Sequence, residues 1–228
     1  MPTIEELIEP DDPALPLIEE WVAAASTSVE VLPVERAAAA ATLLALQITT
    51  HSTLGSLAYY TGGLLVDGGW LRVLGGGSPG LPRDLAGWNQ LGAPRVRLPG
   101  ALLVGDDVVG GFFAVDGGAF GGPLGHVWYL APETLDWESL DQGHTDWLRW
   151  ALTGDVRDFY QPVRWDGWEA EVAALEPAQA ISVTPFLFAN GPPIGERSRR
   201  AVPIEELWGL HAVELPRQLA RRAGGAEA

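Results

Sequence analysis

Residues 101–130 read ALLVGDDVVGGFFAVDGGAFGGPLGHVWYL. Ala101–Val104, Phe112–Val115 and His126–Leu130 are short runs rich in branched and aromatic side chains, and the segments between them are built from Gly and Asp. Each run is too short for a buried helix, and the glycines break any helical period. The reading is three consecutive strands. Immediately upstream, Leu64–Val66 and Trp70–Leu74 flank Asp67-Gly68-Gly69, whose glycines can take the positive φ of a tight hairpin. Successive strands with short connections predict an antiparallel meander or curved sheet. A late strand at Ile181–Leu187 carries Pro185, which places it at an edge.

Helical signals surround this block. On the N-terminal side, Asp12-Pro13 reads as an N-cap with Pro in the first turn, followed by Leu17, Ile18, Trp21 and Val22 at helical spacing to about Ala25. An Ala-rich helix is expected over Glu35–Ile48. A third, capped by Ser52 or Thr53, carries Leu54, Leu57 and Ala58 and ends at Gly62-Gly63. On the C-terminal side, Thr145–Leu152 and Asp155–Tyr160 read as helices. Trp165, Trp168, Val172 and Leu175 recur at i, i+3, i+7 and i+10 of another. Beyond Asn190 lie Pro192-Pro193, the basic patch Arg197, Arg199 and Arg200, helical segments at Ile204–Leu210 and Leu215–Arg222, and a disordered end at Ala223–Ala228. The fold class is therefore α+β: N-terminal helices packed on a central, mainly antiparallel curved sheet, with further helices after the sheet. Residues 1–190 form one domain and 191–228 an extension. The Gly- and Pro-rich stretch Gly75–Gly100, with a short helix around Asp84–Asn89, is long enough to suggest a functional or mobile loop.

Composition narrows the function. The 228 residues contain no Cys, which removes disulfides, thiol catalysis and Cys-zinc sites, and His51, His126, His144 and His211 are too dispersed for a local metal motif. Lys is absent, so all 14 cationic residues are Arg; against 30 acidic residues they leave a net charge of −16. Such a field repels nucleic acid and anionic lipid and attracts basic partners. The start, MPTIEELIEP, has acid where a signal peptide needs base, and no apolar run approaches the ~18 residues of a membrane helix. The expectation is a soluble cytoplasmic protein with no cofactor or metal.

Individual motifs are weaker. GGGSPG at 75–80 matches both a dinucleotide-binding glycine pattern and a nucleophile elbow, but Pro79 and Pro82 interrupt the helix each requires, and loop geometry is the simpler reading. Asp106-Asp107 resembles a carboxylate dyad. Neighbours on extended backbone point to opposite faces, however, so turn formation or capping fits better. Glu133, Asp136, Glu138, Asp141 and Asp146, interleaved with Trp137 and Trp147, form the densest acidic stretch; it reads as a solvated loop and helix N-terminus or as a surface for a basic protein. Trp21, Trp147, Trp165 and Trp168 sit at core spacing, whereas Trp70 and Trp88, next to Gly-rich connections, are candidates to line a groove.

The strings LPVERAAAAATLLALQITTHSTLGSLAYYTGGLLVDGGWLRVLGGG, LAGWN, LLVGDDVVGGFFAVDGGAFG, GHVWYLAPETLDWESLDQGHTDWLRWALTGDVRDFY and RWDGWEAEVAAL resemble the bacterial "domain of unknown function 2625" family over about Pro2 to Leu187. More distantly, Asp107, Gly110, Gly111, Asp116, Gly125, Val127 and Tyr129 are similar to the D-x-x-G-G and G-x-V-x-Y pattern of the Smi1/Knr4-like (SUKH) superfamily. The GGAFGGPL insertion and the segment after about Arg164 depart from that pattern. This second likeness implies a mixed α/β protein without catalysis, many members being immunity proteins that bind a toxin.

The expected function is thus non-enzymatic recognition, as an immunity-type or adaptor protein for a basic protein partner. The candidate contact residues are Trp88, Asp106, Asp107, Glu133, Asp136, Trp137, Glu138 and Asp141. Two alternatives stand beside it. A small-ligand or glycan binder would close the 75–100 loop over Trp70 and Trp88; an unrecognised hydrolase would bring His51 or His144 near a carboxylate and a Ser.

Overall fold

In the computed structural model, which describes residues 2–8 and 11–219, the chain starts with helices α1 (Ile4–Leu7) and α2 (Leu15–Ala23), then strand β1 (Val29–Leu32) and helices α3 (Arg36–Leu46) and α4 (Thr53–Tyr60). Strands β2 (Gly63–Val66) and β3 (Leu71–Leu74) follow, then helix α5 (Leu85–Trp88) and strands β4 (Ala101–Asp107), β5 (Phe112–Asp116), β6 (His126–Leu130) and β7 (Trp137–Gly143). These seven strands form one antiparallel sheet in strict chain order. Helices α6 (His144–Thr153), α7 (Val156–Tyr160) and α8 (Trp168–Ala173) come next. A two-stranded sheet of β8 (Gln179–Thr184) and β9 (Ser198–Pro203) and helix α9 (Ile204–Trp208) complete the fold.

The expected α+β architecture is present, with refinements at the ends of elements. Glu35 and Ser52 cap α3 and α4 through side-chain oxygens that accept from the Ala38 and Gly55 amides. Helix α2 starts later than Asp12-Pro13 suggests, with Ala14 at its N-cap. Trp165 lies outside α8, because Gly167, at φ 79°, starts the helix only after it. Strand β8 ends at Thr184, before Pro185, rather than running to Leu187. Strands β1, β7 and β9 have no counterpart among the expected ones. Of the expected tail, 215–219 is helical, and residues 220–228 lie outside those described.

Phe112 and Phe113 show how both faces of the sheet are covered. Adjacent strand residues point oppositely. Phe113 meets Trp147 of α6 and stacks on Tyr129, while Phe112 meets Trp208 of α9 edge-on at 5.0 Å. On the Phe112 side the Ile181 amide donates to the Val108 carbonyl at 2.6 Å, and Val202, Ile204, Leu207 and Trp208 are buried. The described part of the 191–228 segment thus packs on the sheet it follows.

The 75–100 excursion is tied down rather than poised as a lid. Gly75 and Asp84 form a parallel bridge. Buried Asn89 imitates a strand: its amide donates to the Leu103 carbonyl at 2.8 Å, and its oxygen accepts from the Leu103 amide at 2.7 Å. One side chain therefore supplies pairing to β4 where β3 has ended.

Candidate functional site

The Asp107–Gly111 turn joins β4 to β5, and its carboxylate organises it. Asp107 Oδ1 accepts from the amides of Val109 at 3.0 Å and Gly111 at 2.9 Å, and Oδ2 accepts from the Tyr129 hydroxyl at 2.8 Å. A Cβ on Gly111 would come within 2.2 Å of Asp107 Oδ2 and 2.3 Å of the Tyr129 hydroxyl, so only glycine lets the backbone approach this closely. The D-x-x-G-G pattern is therefore a hairpin device. Asp116 repeats it one hairpin later, accepting from the Gly118, Ala119 and Phe120 amides. Burial raises the Asp107 pKa against the lowering effect of these hydrogen bonds.

Asp106 points to the other face. Its Oδ1 lies 2.7 Å from Arg72 Nε and 2.6 Å from Arg72 Nη2, and Arg83 Nη2 stands 2.9 Å from its Oδ2. Burial pulls the Arg83 pKa down to about 10, which still leaves it charged at neutral pH. The two aspartates do not form a dyad, and both are enclosed, so neither offers a contact surface. Trp88 is likewise buried, with Arg97 and Arg83 at 3.9 and 5.0 Å from its ring. Trp70 is covered by Tyr160, Trp165, Trp168 and Arg164. The rings expected to line a groove are occupied by the protein's own cations and aromatics, because long side chains from distant segments reach them.

The remaining sequence candidates converge. Glu133 and Asp136 lie on the turn after β6, and Trp137, Glu138 and Asp141 on β7, the last strand of the sheet and one of its edges. The four acids are exposed; Trp137 is half-buried against Phe120, their ring centroids 4.7 Å apart. Among the described residues no Arg forms an ion pair with any of these acids. Glu138 and Asp141 accept only from Thr134 and Ser139 hydroxyls.

Beside this edge opens a pocket of about 240 Å³ lined by Tyr129, Ala131, Glu133, Thr134, Glu138, Leu140, Phe159, Tyr160 and Val163. Sequence reasoning missed Tyr129, Phe159 and Tyr160, which lie on β6 and α7. Their helical or strand spacing reads as core, and only the fold brings them beside Glu133. Although Glu133 as a residue is exposed, partial burial pushes its carboxyl up to about 7, helped by the charges of Asp107 and Glu138. The Tyr160 hydroxyl is enclosed and makes no hydrogen bond of normal geometry. Burial, followed by the nearby Asp107 charge, raises its pKa well above the usual range.

The histidines do not assemble a hydrolytic cluster. His144 Nδ1 is 3.0 Å from the Thr53 hydroxyl, and burial lowers its pKa to about 4. His51 meets exposed Asp12, and His211 is buried with Nδ1 2.9 Å from the Gly110 carbonyl. Among the described residues no group of three His, Asp or Glu side chains is placed to hold a metal ion, and no helix is long and apolar enough to cross a membrane.

Fold and site define an α+β protein on a seven-stranded antiparallel meander, with an acidic, aromatic pocket at its last edge. The chain belongs to the family described as "Protein of unknown function DUF2625", whose model matches residues 4–207. It is 41% identical over 210 residues to "Putative uncharacterized protein YbfG" of Escherichia coli (strain K12), covering 92% of this chain and 95% of that one. It is 38% identical over 217 residues to an "Uncharacterized protein" of Haemophilus influenzae (strain ATCC 51907 / DSM 11121 / KW20 / Rd), covering 94% and 95%. No solved structure matches the chain.

Proposed function

We propose that this protein is a non-enzymatic, cytoplasmic recognition protein of immunity or adaptor type that binds a basic protein partner through the β7 edge. The observation that carries this reading is the set of exposed carboxylates Glu133, Asp136, Glu138 and Asp141, clustered at one sheet edge and neutralised by no described Arg, whereas Asp67, Asp106, Asp146, Glu171, Glu205 and Glu206 each have an Arg partner. Trp137 beside them supplies the aromatic contact area that binding hot spots favour. The distant likeness of the Asp107–Gly111 hairpin to the SUKH pattern, whose members include immunity proteins, points the same way. A net charge of −16 speeds encounter with a basic partner at low salt.

The test is capture of partners from the native host by the tagged protein at low salt, repeated with Asp136, Glu138 and Asp141 all replaced by Ala. A single stoichiometric basic protein, released by salt, is expected. Its affinity should fall about tenfold to a hundredfold in the triple variant, with a flatter salt dependence. Unchanged affinity removes this face from the interface.

A further inference from the structure

We infer that the pocket between β6, the turn after it and α7 is a receptor for one guanidinium group, an arginine side chain presented by the partner. This rests on the recognition reading above and names what the edge grips.

The wall chemistry selects the ligand. Two carboxylates, Glu133 and Glu138, stand at the pocket, and Tyr129, Phe159 and Tyr160 supply aromatic surface; no Arg or His lines it. Anions and plain apolar groups are therefore disfavoured. A metal ion is poorly served by two carboxylates among aromatic rings, and no three-ligand group occurs among the described residues. A volume of about 240 Å³ is below the roughly 300–1,000 Å³ of sites for drug-sized molecules, and suits a single long side chain.

Tyr160 provides an independent pointer. The residue is 1% exposed and lines the pocket, yet its hydroxyl, with the Asp107 carboxylate near it, makes no hydrogen bond of normal geometry within the protein. An enclosed, unsatisfied hydroxyl is costly, and its oxygen is free to accept. A guanidinium offers five donors in a plane, enough to serve carboxylates and a hydroxyl together, and that plane stacks on aromatic rings. A lysine ammonium lacks the plane. The raised Glu133 pKa agrees, since burial near two other carboxylates leaves its charge without a counter-ion.

The experiment is an NMR titration of the isotope-labelled full chain with N-acetyl-arginine methylamide, and in parallel with the lysine and norleucine analogues. Saturable shifts at residues 131–140 and 159–160 are expected for arginine, with at least about threefold weaker binding for lysine and none for norleucine. Glu133→Gln should weaken arginine binding about tenfold, as loss of one charge-assisted contact implies. Tyr160→Phe, which keeps the ring, should weaken it about threefold while its thermal unfolding confirms a native fold. Equal response to arginine and norleucine overturns the pocket, and equal binding of lysine overturns the guanidinium assignment. If arginine does not bind while an Asp136→Ala, Asp141→Ala double variant, which leaves the pocket lining intact, still loses the captured protein, the pocket fails and the edge survives. If arginine binds while that double variant captures the protein in full, the pocket survives and the edge outside it fails.

Discussion

Asp106 holds two buried guanidiniums on one carboxylate, those of Arg72 and Arg83. Asp106→Asn would strand Arg72 and Arg83 without a counter-charge, and should cost about 3–5 kcal/mol in urea unfolding; a loss below about 1 kcal/mol would show that other groups compensate them. The sequence disclosed that Asp106 and Asp107 face opposite ways, but not their partners, which lie 34, 23 and 22 positions away. Glu133 makes a pH-dependent prediction. Its folded pKa of about 7 stands above the ordinary 4.5, so ionisation is harder in the folded state and stability is lost as pH rises through that window. Glu133→Gln should therefore stabilise the protein by about 1 kcal/mol at pH 8, allowing for solvent screening, and have little effect near pH 4. Melting curves at the two pH values decide it.

At the scale of elements, the strands around 101–130 were legible because they are covered on both faces and their turns consist of Gly and Asp. Strands β1, β7 and β9 were not. Each lies at an edge, and sequences such as WESLDQG and SRRAVP lack the apolar alternation that a half-buried strand displays. That gap hid the most informative part of the site: the acidic residues were visible, but not that β7 arrays several of them along a sheet edge. Helix α9 and β9 also looked like an appendage, whereas Trp208 closes over Phe112. Trp208→Ala should cost about 3–5 kcal/mol, the usual range for a large aromatic removed from a packed site. Denaturant unfolding followed by the remaining Trp fluorescence measures this, and a loss under about 1 kcal/mol would mean that α9 is only loosely seated.

Taken whole, the molecule carries far more acid than base, with its Arg residues repeatedly used inside: Arg72 and Arg83 on Asp106, Arg164 on Asp67, Arg97 against Trp88. The surface consequently repels itself, while the enclosed pairs are shielded from dissolved ions. Raising NaCl from about 10 to 300 mM should increase the melting temperature by a few degrees. A decrease would mean that exposed ion pairs such as Arg149–Asp146 and Arg200–Glu206 contribute more than the general repulsion. Net charge was readable from composition; its segregation was not, because pairing depends on which segments the fold brings together.

The chain order of the sheet has a consequence for how the molecule is made. Since each strand from β2 onward pairs with the one just synthesised, the sheet can grow outward strand by strand as the polypeptide leaves the ribosome, with mostly short loops closing at little entropic cost. The β7 edge is the last piece laid down in that progression, followed only by the helices and the β8–β9 ribbon that cover the two faces. A nascent chain thus acquires the acidic margin proposed to bind a partner only after the strands supporting it are in place, so a half-made protein presents no finished margin.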